Sequence, residues 1–171
     1  FKNKKRFDLA KKIRDHGMSS KKKYWHDIVG KNYRMTDLQA AVGLAQLENF
    51  KKILEKKIQI SKLYKLGLTS IKDKIDFVSE NSYEVNTYWL FNVVIKNNKK
   101  KYLIKSFLKK NIEARPFFYC LSSMPPYKKY ALKNYNNSKF FEKNGLCLPS
   151  YIDLKSSDIK FICKQICKIL S

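Results

Sequence analysis

The chain has 171 residues, 44% of them hydrophobic and 14% aromatic. That is enough for one compact domain with a real core, or for a small domain plus a piece of another. The disordered and collagen-like classes are excluded, although 30% of the residues are charged. The formal net charge of +23 is carried by 33 lysines and four arginines, Arg6, Arg14, Arg34 and Arg115. A chain built to read nucleic acid concentrates arginine for its bidentate fork. Lysines spread between apolar positions, in a sequence also rich in Asn and Ile, read instead as solvated helix faces and compositional drift. A stand-alone lysine-rich module for nucleic acid or an anionic surface is therefore the second reading, and neither nucleic acid nor a membrane is expected as a partner. The opening FKNKKRFDLA lacks the apolar stretch of a secretory signal, and no run of about 18 apolar residues occurs. Reduced thiols in the cytoplasm fit Cys120, Cys147, Cys163 and Cys167 best. Cys163 and Cys167 lack further ligands to complete a metal site, so no metal is expected.

In chain order, Phe7, Leu9, Ala10 and Ile13 recur at roughly helical spacing and Gly17 offers a stop, which predicts a short opening helix. Ser19 to Lys31 is irregular and reads as a structured loop holding Trp25 and His26. Thr36 with Gln39 three residues on is a capping-box pattern, so a helix starts at Asp37 with Leu38, Ala41, Val42, Ala45 and Leu47 as its buried side. The small residues Ala40, Ala41, Gly43 and Ala45 allow another backbone or helix to come close. Phe50, Ile53, Leu54, Ile60, Leu63 and Tyr64 carry the stripe on to Gly67, predicting a long, lysine-coated helix. Periodicity fades around residues 71–86, where the division between two structural units is expected.

Tyr88 to Ile95 is rich in β-formers with apolar residues on both faces and predicts a covered, central strand, with Trp89 and Phe91 in the core. Lys99 to Lys110 reads as a helix, and Ile112 to Phe118 as a second strand that Pro116 confines to an edge or end. Tyr119 to Tyr127 reads as a loop, Lys139 to Lys143 as a short helix and Leu146 to Leu148 as a short strand. Ser156 to Leu170 is a final amphipathic helix, with Ser156 as its cap and Asp158 in its first turn.

Asn32 and Arg34 stand just ahead of a helix start, where a side-chain amide, a guanidinium and free backbone N–H groups can converge on an anion. The competing reading pairs Arg34 with Asp37 and lets Asn32 close a turn. His16 and His26 carry imidazoles, the side chain suited to acid–base work, and are acid–base candidates. A turn role beside Gly17 suits His16 equally well, and hydrogen bonding suits His26.

The stretch from Gly30 to Asp37 (GKNYRMTD) and the run QAAVGLAQLE from Gln39 to Glu48 closely resemble motifs of the DegT/DnrJ family of sugar aminotransferases, pyridoxal-phosphate enzymes of fold type I. Arg14 to Met18 (RDHGM), Arg115 to Ser122 (RPFFYCLS) and Leu148 to Ser150 (LPS) match further family motifs in family order. Within the family, the residues Tyr24 to Asp27 look most like the GDP-perosamine synthases. The resemblance implies an α/β fold, with residues 1–70 as the C-terminal part of the large cofactor domain and residues 71–171 as the small α+β domain. It implies pyridoxal 5'-phosphate as cofactor and a homodimer with the active site at the subunit interface. The substrates implied are an amino-acid donor, glutamate above all, and a nucleotide sugar such as GDP-4-keto-6-deoxymannose. Asn32 matches the asparagine that reaches the cofactor phosphate, with Arg34 beside it. His26, Tyr33, Arg115, Phe117, Tyr119 and Ser122 match substrate-facing positions. Two departures stand out: Cys120 where the family has Pro, and Ser122 where it has His. The family's cofactor lysine is expected upstream of Phe1, so the chain reads as the C-terminal part of a longer enzyme, inactive and poorly soluble alone.

Overall fold

The computed structural model describes residues 2–131 and 135–171. The chain separates into two compact units, Phe1–Phe50 and Lys51–Ser171, ahead of the division expected near residue 70.

The first unit opens with α1, Lys4–Arg14, capped by Asn3, whose side chain accepts from the Arg6 amide at 3.1 Å. His16, with φ 58°, takes the left-handed position beyond the helix, and the Gly17 amide closes back on the Lys12 carbonyl at 2.8 Å. The stop expected at Gly17 therefore begins one residue earlier, at His16. Helix α2, Asp37–Glu48, has the full capping box: the Thr36 hydroxyl accepts from the Gln39 amide at 3.3 Å and the Gln39 side chain accepts from the Thr36 amide at 2.9 Å. We predict that Thr36→Ala costs about 1 kcal/mol of local stability, read as faster hydrogen exchange at the Leu38 and Gln39 amides.

The single long helix expected from Asp37 to Gly67 is two helices. Asn49 ends α2, its side-chain amide donating to the Ala45 carbonyl at 2.9 Å, and α3 runs Phe50–Gly67. The expected buried side of α2 is exposed, with Leu38 at 77%, Val42 at 59% and Leu47 at 69%. Apolar spacing fixes which face of a helix is sticky, but burial needs a second layer. Among its described residues the first unit offers two helices and two isolated bridges, and no sheet.

The second unit is built on an antiparallel four-stranded sheet of order β1-β2-β4-β3. Strand β1 is Ile75–Phe77, β2 Phe91–Ile95, β3 Arg115–Pro116 and β4 Gly145–Leu148. β2 is central as expected, pairing Val94 with Asp76 on one side and Asn92 with Cys147 on the other. Pro116 sits on the edge strand, where its missing N–H costs no ladder bond. The helices of this unit are the greater part of α3, then α4 (Lys100–Leu108), α5 (Asn136–Asn144) and α6 (Ser156–Leu170). Ile60 and Tyr64 of α3, Val93 and Ile95 of β2, Leu103 and Phe107 of α4, and Ile159 and Ile166 of α6 meet in one apolar cluster. The amphipathic stripes read from the sequence in α4 and α6 supply these residues.

The structure departs from the sequence pattern at three further points. Ser156 is the first helical residue of α6 and not its cap; Lys155 holds the cap position without a side-chain bond. Trp89 lies outside the core at 71% exposure, while Phe91 is buried at 2%. The strand expected over residues 112–118 is ordered as a ladder only at Arg115–Pro116. Cys120, Cys147 and Cys163 are buried and Cys167 half-buried, all four as free thiols. Burial pushes the Cys163 thiol up to about 12. Among the described residues, no helix is long and apolar enough to cross a membrane, and no three His, Cys, Asp or Glu side chains cluster as metal ligands.

Candidate functional site

The two motif halves of the first unit, Arg14–Met18 and Gly30–Asp37, are zipped together by backbone. Lys31 donates to the Ile13 carbonyl at 2.7 Å, His16 to the Lys31 carbonyl at 3.0 Å and Tyr33 to the Arg14 carbonyl at 2.9 Å. Further along, Asp27 donates to the Gly17 carbonyl at 2.9 Å and Ser19 to the Trp25 carbonyl at 2.7 Å. The segments cross at two glycines. A Cβ on Gly30 would overlap the Gly17 amide nitrogen, and one on Gly17, whose φ is +69°, would overlap the Ile28 carbonyl. Both motif glycines are thus required by close backbone approach, and at Gly17 by a positive φ as well.

Side chains brace the same clasp. Arg34 pairs with Asp15, Nε to Oδ1 at 3.3 Å, and not with Asp37. Its Nη2 donates toward His16 Nε2 at 3.4 Å, while His26 Nδ1 donates to the His16 carbonyl at 2.8 Å. Lys12 pairs with Asp27, whose carboxyl it holds below the usual range. Asn32 does close a turn, its Oδ1 accepting from the Arg34 amide at 3.3 Å. That leaves the Asn32 NH2 group as the donor end of the side chain, on an exposed residue ahead of the α2 N-terminus. Tyr33 is 69% exposed beside it. His26, Asn32, Tyr33 and Arg34 therefore share one clasp. Asp15 was absent from the residues expected at the site, though it lies inside the Arg14–Met18 motif.

The second unit gathers Arg115, Phe117, Tyr119 and Ser122. Arg115 is set opposite Cys147 by the β3–β4 ladder, exposed, with its guanidinium on Glu113 at 2.8 Å. Phe117 continues that edge, its amide donating to the Gly145 carbonyl at 3.1 Å, and a Cβ on Gly145 would stand 2.7 Å from the Phe117 Cβ. Ser122 faces the Cys120 thiol, Oγ to Sγ 2.9 Å, and that hydroxyl holds the thiol below its ordinary range. The Cys120 amide in turn donates to Glu142 Oε2 at 3.1 Å. So Ser122 and Cys120, the two departures from the family motif, bond to each other. A cleft of about 880 Å³ lies along this segment, walled by Phe117, Tyr119, Lys100, Lys101, Lys139 and Lys143. Glu142 is the one carboxylate on its wall among the described residues. The balance is electropositive and suits a phosphorylated ligand. Burial and the neighbouring Lys101 lower the Lys100 ammonium, against Glu142, which raises it, and its Nζ donates to the Glu142 carbonyl at 2.5 Å.

Behind this face, Lys57 and Tyr64 of α3 hold the Leu148–Ser150 motif. Lys57 Nζ donates to the Ser150 carbonyl at 2.5 Å and the Tyr64 hydroxyl to the Pro149 carbonyl at 2.8 Å. Nothing in the sequence marks Lys57 among 33 lysines.

A model of the DegT/DnrJ/EryC1/StrS aminotransferase family matches residues 1–167. The GDP-perosamine synthase of Vibrio cholerae is 34% identical over 163 residues, covering 93% of this chain and 44% of that protein. The GDP-perosamine synthase of Escherichia coli O157:H7 is 30% identical over 164 residues, covering 94% of this chain and 43% of that protein. The chain thus spans less than half the length of these curated relatives. Among solved structures, a putative sugar aminotransferase of Streptococcus pneumoniae in its PLP form superposes with a TM-score of 0.84 at 19% identity, over 100% of this chain and 46% of that one. The chain belongs to the DegT/DnrJ/EryC1/StrS aminotransferase family, whose cofactor is pyridoxal phosphate, and carries part of that family's α/β fold.

Proposed function

We propose that the chain is the C-terminal part of a nucleotide-sugar aminotransferase that moves the amino group of glutamate to the 4-keto carbon of a GDP-linked 4-keto-6-deoxy sugar, leaving 2-oxoglutarate. The observation that carries this reading is the clasp. It joins the motifs Arg14–Met18 and Gly30–Asp37, and its hydrogen bonds engage the Asn32 amide oxygen and leave the NH2 group as a donor on an exposed residue beside a helix start. Similarity to two GDP-perosamine synthases at 34% and 30% identity supports the choice of sugar nucleotide.

The donor chemistry of Asn32 fits the phosphate of pyridoxal phosphate, an acceptor-only group. Arg34, engaged with Asp15, acts through Asn32 as a positioning residue: its backbone N–H occupies the amide oxygen and leaves the NH2 end as the donor. When bound, the cofactor supplies the electron sink that lets an amino group change carbon. His26, with Nδ1 engaged on the His16 carbonyl, has Nε2 left for a partner, and Tyr33 presents a phenol; both suit sugar hydroxyls. Phe117 and Tyr119, which line the lysine-walled cleft, bind and orient the nucleotide sugar, together with Arg115 and Ser122 of the same segment. We assign the first unit, residues 1–50, to the large domain and the second, residues 51–171, to the small one, in a homodimer whose interface completes the site. The exposed apolar face of α2 belongs, in this reading, to a layer that the rest of the enzyme supplies.

The test is made on the full natural protein loaded with pyridoxal phosphate. Glutamate is expected to yield 2-oxoglutarate in amounts stoichiometric with bound cofactor. Asn32→Ala should weaken pyridoxal phosphate roughly tenfold, as expected for one charge-assisted hydrogen bond, while leaving the affinity for pyridoxal, which lacks the phosphate, unchanged. Release of no 2-oxoglutarate contradicts the reading.

A further inference from the structure

We infer that Trp89 and Phe118 form a stacking platform for the flat base of a nucleotide, and so hold the base end of the substrate; this rests on the nucleotide-sugar reading above. The starting point is an aromatic residue on the wrong side of the surface. Phe91 turns inward, its ring stacked on Tyr64 at 4.8 Å and 12°. Trp89, two residues earlier and of the same strand parity, is 71% exposed.

The cause is Tyr88, whose φ of 49° puts it in the left-handed region, an uncommon state for a bulky residue. Three groups hold it there. The Asn86 side chain accepts from its amide at 2.8 Å, Glu80 accepts from its hydroxyl at 2.6 Å, and Lys65 donates to Glu80 at 2.6 Å and to the Tyr88 oxygen at 3.2 Å. Beyond Trp89, Lys57 donates to its carbonyl at 3.1 Å. The outward indole is thus the product of a braced, unfavourable turn, and such strain persists where a ligand is clamped.

Its partner is equally exposed. Phe118, 61% exposed, lies nearly parallel to Trp89 with centroids 6.5 Å apart and planes at 21°. A centroid separation of 6.5 Å lies within the range of an offset aromatic pair, and the exposure of Trp89 leaves indole surface on which a third flat ring can stack. Phe118 is steadied from beneath by Phe117, edge-on at 5.7 Å, which itself packs on Phe141 at 6.1 Å. A heteroaromatic base has two flat faces and matches this arrangement. Stacking of this kind tolerates any base, so the platform selects nucleotides without choosing among them.

Calorimetric titration of the full natural protein with GDP, and separately with inorganic pyrophosphate, tests the inference. Trp89→Ala and Phe118→Ala should each weaken GDP about tenfold, within the range known for loss of one base–aromatic stack, and leave pyrophosphate unchanged. Phe118→Leu, which keeps apolar bulk without a ring, should show the same loss with an unaltered melting temperature. GDP affinity that stays at the parent value in the variants, or that falls in step with pyrophosphate, overturns the platform while the aminotransferase reading stands. A parent protein that binds neither ligand and releases no 2-oxoglutarate from glutamate overturns both.

Discussion

Gly17→Ala and Gly30→Ala are each expected to destabilise the first unit by about 2–4 kcal/mol, the range for a backbone that cannot adopt or accommodate a side chain. The two residues act for related reasons. At Gly30 the obstacle is purely spatial, because an added methyl would overlap the Gly17 nitrogen across the crossing. At Gly17 it would overlap the Ile28 carbonyl, and the φ of +69° adds a conformational cost for any L residue. Neither neighbour is the flexible end of a side chain, so relief requires the crossing to open. Opening it breaks the bonds from Lys31 to Ile13 and from Tyr33 to Arg14, which flank Asn32. Loss of pyridoxal phosphate affinity should therefore accompany the loss of stability. Urea unfolding followed by the fluorescence of Trp25, which sits in the same loop, reads the first effect, and cofactor titration the second. A Gly30→Ala protein with parental midpoint and parental cofactor affinity would contradict the clasp as described.

Tyr64→Ala should cost about 3–5 kcal/mol, as for other large-to-small changes at fully buried aromatic sites. The ring is fully buried, stacked on Phe91 at 4.8 Å, and its hydroxyl donates to the Pro149 carbonyl at 2.8 Å. Tyr64→Phe separates the two parts: it keeps the stack, loses the hydrogen bond and leaves a carbonyl short of one partner, for about 1–2 kcal/mol. The same residue makes a pH prediction. Burial first, then the nearby Cys163, raises the Tyr64 hydroxyl far above its ordinary value near 10. The Cys163 thiol is likewise raised, from near 9 to about 12. For both groups the unfolded chain releases its proton first, so the stability they contribute is fully present below pH 9. It is lost as the pH climbs from there toward the folded-state values. Melting temperatures should fall from about pH 9 upward, and less steeply in Tyr64→Phe; an equal slope in the two proteins would contradict the assignment.

Much of this was legible in the sequence wherever local chemistry decides the outcome. The Thr36–Gln39 spacing gave the start of α2 because a capping box is closed by neighbours four residues apart at most. Pro116 indicated an edge strand because its missing N–H is a local fact. The central place of β2 followed from apolar residues on both its faces. Outcomes that depend on a distant surface were not legible. Leu38, Val42 and Leu47 have the spacing of a buried face, but no layer among the described residues of the first unit covers them. Trp89 has the parity of a core residue until Tyr88 turns the chain, and the groups that hold Tyr88 come from Glu80, Asn86 and Lys65. β1 is three residues with a charged one in the middle, too short to establish a period. At the site, Asn32 and Arg34 were marked by their place before a helix, whereas the partner of Arg34 is set by the clasp crossing, which brings Asp15 closer than Asp37.

The most direct measurement is the conversion of GDP-4-keto-6-deoxymannose by the full natural protein with glutamate and pyridoxal phosphate, the product read by mass spectrometry. The account predicts a 4-amino-4,6-dideoxy sugar nucleotide appearing in equal amount with 2-oxoglutarate. A cofactor-loaded, folded protein that leaves that sugar nucleotide untouched would contradict it.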